Sequence, residues 1–152
     1  MKFFTRDWCQ GKMTDEEAEA VILRYQRHLD KLDLPASIRE LASLNPHDAC
    51  ILDAQHEPRE GTLRLRLRCG DLQIGYFDAT LTFTQAGLTS VDAATLARAR
   101  YPAKFDIIYD EVDKVAGDAF EYRLLLHPTG EVLIGFKHVT IVRRPVADRE
   151  AE

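Results

Sequence analysis

His47 and Asp48 adjoin within Asn45-Pro46-His47-Asp48-Ala49, and Asp110, Glu111 and Asp113 crowd a stretch with strand-and-turn character. An imidazole beside a carboxylate has two chemistries open to it: the pair ligates a divalent cation, or the carboxylate orients the ring as a general base. Carboxylates at alternate strand positions, as at Glu111 and Asp113, can face one cation. His47 and Asp48 are therefore the candidate catalytic pair, and His47, Asp48, Asp110 and Glu111 the candidate metal set. Each has a structural alternative. Asp48 or His47 can bond backbone at a helix-to-sheet junction, and strand carboxylates can discourage unwanted edge pairing. Neighbouring strand side chains point to opposite faces, so His47 and Asp48 share a site only from within a turn. His127 and His138 have no spacing that commits them to a ligand set.

Composition narrows the function classes. A chain of 152 residues with 45% hydrophobic content is enough for one domain with a real core and too short to expect two. Cys9, Cys50 and Cys69 are odd in number and widely spaced, which speaks against a disulfide framework and a four-thiolate zinc site. There is no phosphate loop or nucleophile motif, and no cofactor is expected. No apolar run approaches the roughly 20 residues that span a bilayer, and Arg6 and Asp7 interrupt the first apolar residues; a cytoplasmic, non-membrane protein is expected. The net charge of -5 repels nucleic-acid phosphates. Arg64, Arg66 and Arg68 form a basic stripe on one strand face, without the interleaved aromatics that stack bases. Pairing with cross-strand acids such as Asp78 or Glu121 accounts for them.

The elements follow from hydrophobic period. Thr14-Asp15-Glu16-Glu17 is a capping box, and Ala18, Val21, Ile22, Tyr25, Leu29 and Leu32 recur at helical steps behind it. Leu34-Pro35 ends that helix and starts a short second one over Ala36 to Leu44. From His47 to Arg143 the period is two, most plainly at Leu63, Leu65, Leu67 and Cys69. Gly70-Asp71 turns the chain into a strand with Leu72, Ile74 and Tyr76, with a bulge at Asp78-Ala79. A helix capped by Asp92 runs to Ala99. A strand over Lys104 to Val112 precedes a last hairpin, Phe120 to His127 and Glu131 to Val142, around Pro128-Thr129-Gly130. Phe3, Phe4, Trp8 and Tyr25 read as core, with Trp8 as a possible partner anchor.

Met1-Lys2-Phe3-Phe4-Thr5-Arg6-Asp7-Trp8, the capped helix, Leu44-Asn45-Pro46-His47-Asp48-Ala49 and Ile108-Tyr109-Asp110-Glu111-Val112 together resemble an uncharacterised bacterial family, domain of unknown function 4085. The likeness spans most of the chain. It implies a bacterial cytoplasmic origin and helices before sheet, and it directs attention to His47, Asp48, Tyr109, Asp110 and Glu111. It implies no activity.

The expectation is an α+β domain over residues 1–145, with a helical part at 14–44 and a sheet part at 47–143. The amino-terminal helical pair packs on one mainly antiparallel sheet of five or six strands and covers Leu63, Leu65, Leu67, Leu124, Leu126, Ile134 and Phe136. Residues 146–152 are expected to be a disordered tail. The expected function is a non-enzymatic protein-binding module, a monomer or homodimer, immunity-like in neutralising a basic toxin through Asp110, Glu111 and Asp113. The alternative is a metal-assisted hydrolase using His47, Asp48, Asp110 and Glu111.

Overall fold

In the computed structural model, which describes residues 1–149, the change of period near Asn45 marks the passage from helices to strands. A short first helix, α1 (Arg6–Cys9), is capped by Thr5. In α2 (Asp15–Asp30) the Thr14 hydroxyl accepts from the Glu17 N–H while the Glu17 carboxylate accepts from the Thr14 N–H, so the capping box is complete. Pro35 is the N-cap of α3 (Ala36–Ala42), which stops short of Leu44.

The strands make two antiparallel sheets where the sequence predicts one. The larger has the order β1 (Cys50–Glu57), β2 (Thr62–Asp71), β3 (Gly75–Thr84), β7 (His138–Val146); the smaller has β4 (Asp106–Lys114), β5 (Phe120–His127), β6 (Glu131–Phe136). A single residue, Lys137, separates β6 from β7, so one nearly continuous strand passes from the smaller sheet into the larger. Its N–H donates to the Thr84 carbonyl at the corner. A second junction lies at an isolated bridge: Asp48 N–H donates to the Ile107 carbonyl and Ile107 N–H to the Ala49 carbonyl, both at 2.8 Å. The helix α4 (Ser90–Ala99) packs on β1 and β6, and α3 on β7 and β4.

The core therefore lies between the sheets. Leu63, Leu65, Leu67, Leu81 and Phe83 from the larger sheet meet Tyr122, Leu124, Leu126, Ile134 and Phe136 from the smaller, with Ile38 and Leu41 of α3 in the same cluster. The predicted cover by the first long helix is replaced by this sheet-to-sheet burial, and α2 belongs elsewhere. Phe4, Trp8, Val21 and Tyr25 form a second cluster with Tyr109 at its margin. This layer covers the outer side of the smaller sheet. Trp8 is buried in it and presents no exposed anchor.

Other local expectations change for definite reasons. The cap of α4 is Thr89, whose side chain accepts from Asp92 N–H, so the helix starts before Asp92. The ladder from β2 to β3 is regular across Asp78 and Ala79; the register shifts fall between Ile51 and Asp53 and between Ile107 and Tyr109. The chain keeps its pairing through Pro145 and Val146 against Phe77 and Tyr76. Arg149 then donates to the Asp48 carbonyl and to Asp106, and Arg68 to the Asp148 carbonyl, so of the tail expected at 146–152 Val146, Asp148 and Arg149 make contacts, and 150–152 lie outside the described residues.

Candidate functional site

Strand β4 carries most of the sequence candidates, and its pleat sends them to two different places. Past the bulge, register pairs Asp110 with Leu124 and Val112 with Tyr122, facing the core, while Glu111 pairs with Arg123 and Asp113 with Glu121 on the outer face. Glu111 is 0% exposed and Asp113 4%. The amino-terminal segment accounts for that burial. Glu111 Oε1 accepts the N–H groups of Phe3 and Phe4 at 2.7 Å, and Oε2 accepts that of Lys2 at 2.8 Å. Asp113 accepts from Lys2 Nζ at 2.5 Å and lies 2.8 Å from His28 Nε2. Beneath them Arg123 Nη1 sits 3.6 Å from both carboxylates, and the same guanidinium pairs with Glu121.

This buried network is an anchor built by the chain for itself. Burial would raise the Asp113 pKa, but hydrogen bonds from Lys2 and His28 overcome it and hold the carboxyl below its ordinary value. The carboxylates expected to meet a basic partner are thus already paired: Glu111 and Asp113 offer no free face to one. Lys2, His28 and Arg123 carry this network and were not among the sequence candidates. Arg123 did leave a signal, because it precedes the unbroken apolar run Leu124-Leu125-Leu126, and a strand apolar on both faces is a strand covered on both sides.

Asp110 points the other way, toward the Tyr122 hydroxyl and Cys69 in the sandwich interior. Burial raises its pKa from 3.8 to about 7, with the Tyr122 hydroxyl partly offsetting the rise. Burial likewise pushes the Cys69 thiol up to about 12, which makes it an unreactive core residue. The Tyr122 hydroxyl is buried with no hydrogen-bond partner of good geometry among the described residues.

His47 and Asp48 do lie in a turn, with Asp48 at a positive φ of 60°. The carboxylate stands 3.6 Å from His47 Nε2, and Nδ1 bonds the Ile108 carbonyl at 2.5 Å. Both side chains are exposed. The His47 ring lies 5.2 Å from that of Tyr109, which packs edge-on to Trp8 at 4.5 Å and stacks on Phe4 at 5.1 Å. Burial raises the Tyr109 pKa, and the nearby Cys9 and Asp48 add to the effect. Beside this turn a groove of about 480 Å³ runs among Arg6, Cys9, Asp48, Asp106, Ile108 and His127. Arg6 is already committed there, donating to the carbonyls of Leu126 at 2.9 Å and Gly130 at 3.2 Å.

The four residues of the candidate metal set therefore go to three environments: an exposed turn for His47 and Asp48, the half-buried inner face of β4 for Asp110, and the amino-terminal anchor for Glu111. Among the described residues no three His, Cys, Asp or Glu side chains are placed to hold a metal ion together. Of the basic stripe, Arg68 is buried and donates from Nε to Asp78 at 2.5 Å, as cross-strand pairing predicts, while Arg64 and Arg66 face outward. Glu121 serves Arg123 instead.

The most exposed large apolar side chains are at the far end of the larger sheet. Leu72 is 92% exposed and Ile74 74%, both in the turn between β2 and β3. Sequence reasoning placed them inside a returning strand; Asp71 holds them in the turn, its Oδ1 accepting from Gln73 N–H at 2.7 Å and Ile74 N–H at 3.0 Å.

No helix among the described residues is long and apolar enough to cross a membrane. No protein-family model matches the chain, and neither a curated protein nor a solved structure matches it.

Proposed function

We propose that this chain is a protein-binding module and that the tip of the β2–β3 hairpin is its contact point. The observation that carries the reading is the pairing of Leu72 and Ile74, both strongly exposed, with a turn that is itself fixed by Asp71. Single exposed apolar residues are ordinary; two on one rigid tip form an anchor whose ordering cost is met before binding. The net charge of -5 favours a basic partner by steering encounter, which supports the immunity-like form of the proposal, neutralisation of a basic toxin.

Affinity capture from the source cell with the wild type and a Leu72→Asp, Ile74→Asp variant tests it. One protein retained at near-equal stoichiometry by the wild type and lost from the variant supports the reading. Equal retention by both, with the variant melting as the wild type does, removes the hairpin from the interface.

A further inference from the structure

We infer that the solvent-facing side of α2, with the amino-terminal segment beside it, is a second binding surface, and that it takes an acidic peptide segment bearing apolar side chains. This surface is independent of the hairpin. Of the sixteen residues of α2 only Val21 and Tyr25 are buried, although the helix is amphipathic. Leu23, 44% exposed, lies on the opposite side. Between that side and the first residues of the chain lies a groove of about 690 Å³ with Phe3, Ala20 and Leu23 as its apolar lining.

Its rim is cationic. Arg24, Arg27 and Lys31 follow one another at three- and four-residue steps, which places them along one flank of the helix. The Arg24 guanidinium lies 5.6 Å from the centre of the Phe3 ring. Among the described residues none of the three makes an ion pair, in contrast to Lys2 and His28 just behind them, which Asp113 holds. The helix dipole favours cations in the last turn, but Arg24 lies before that turn, and Arg27 and Lys31 are like charges four residues apart, a spacing that costs stability in an isolated helix. Cations with no ion-pair partner among the described residues, over an apolar floor, match a ligand that supplies carboxylates and apolar groups together, a local cationic field set against the chain's overall net charge of -5. Helix grooves bind peptides in this way, apolar anchors setting depth and charges setting register.

Fluorescence anisotropy with a labelled peptide of alternating glutamate and leucine tests the inference on the full chain. Saturable binding is expected, weakening as salt is raised and falling about tenfold or more, roughly 1.4 kcal/mol, in an Arg27→Glu, Lys31→Glu variant. Leu23→Asp is expected to weaken it as well. All three positions are exposed, so unchanged circular dichroism and melting are expected and are checked alongside. The inference is overturned if the peptide does not bind, if a lysine–leucine peptide binds equally well, or if the charge-reversed variant binds as the wild type does. It is also overturned if inorganic phosphate or duplex DNA displaces the peptide at comparable concentration, which would mark the rim as a general anion site.

Discussion

The Tyr25 hydroxyl accepts the backbone N–H of Val112 at 2.8 Å, joining α2 to the outer edge of β4 across 87 residues of sequence. An edge strand leaves a row of donors unpaired, and this one is satisfied by a side chain where a neighbouring strand would otherwise sit. The cost of burying Tyr25, visible in the upward shift of its pKa, is met by that bond and by ring contacts with Phe3 and Phe4 at 5.2 and 5.1 Å. Tyr25→Phe keeps the rings and removes the acceptor. The expected loss is about 1–3 kcal/mol in urea or guanidinium unfolding, the cost of a buried donor left without a partner; a change below roughly 0.5 kcal/mol would show that water replaces the hydroxyl.

Glu111 should be the most sensitive carboxylate in the chain. Glu111→Ala strands the N–H groups of Lys2, Phe3 and Phe4 and removes a partner of the buried Arg123. Breaking a buried pair from one side costs about 3–5 kcal/mol. Denaturant melts should show that loss, and limited proteolysis should cut first within the freed amino-terminal segment. Intact protection of residues 1–9 in the variant would place the anchor elsewhere.

Asp110 and Asp113 give opposite pH signatures. Folded Asp110 keeps its proton to about pH 7, whereas the unfolded carboxyl releases it near 3.8. Between those values the folded chain binds the extra proton, so this residue's contribution to stability falls as pH rises through the window. Asp113 has a lowered folded pKa, so its contribution is present above the ordinary carboxylate range and is lost as the solution is acidified through it. Asp110→Asn should remove the decline between about pH 4 and 7 and leave the acid limb intact, read from unfolding free energies at a series of pH values. An unchanged pH profile in the variant would assign the slope to other groups.

Gly70→Ala tests the hairpin that presents Leu72 and Ile74. Gly70 has a φ of +101°, and a Cβ there would lie 2.0 Å from the Gly75 carbonyl oxygen, a backbone atom that has no room to move without opening the turn. A destabilisation of about 2–4 kcal/mol is expected by denaturant melting. Gly75→Ala meets nothing within 4 Å, and its cost should be confined to the strain of a φ of +83°.

Local signals in the sequence were legible where one side chain decides the structure. Thr14 and Glu17 marked the start of α2, and the alternation of Leu63, Leu65 and Leu67 marked the inner face of β2. At α4 the cap and its reciprocal partner were interchanged: Thr89 and Asp92 bond each other, and either could open a helix from its own position. Partition into two sheets was not legible, because period two is the same in both and one of the two crossings between them, at Lys137, takes a single residue. The burial of the acidic cluster was hidden for a related reason. Glu111 and Asp113 alternate with core-facing positions and so read as wet, but the layer that buries them comes from residues more than eighty positions away. The sequence distance hides the cover.

The strand that crosses from β6 to β7 gives the fold a mechanical property. Because β6 is paired to β5 and β7 to β3, with Lys137 alone between them, a load pulling the sheets apart is carried by a covalent backbone and by hydrogen bonds in shear on both sides of the corner. Loosening at this corner reaches both sheets through one residue of backbone. The molecule should therefore melt as one calorimetric unit, with equal van't Hoff and measured enthalpies, and a cut in the chain at Lys137 should cost both halves their stability at once.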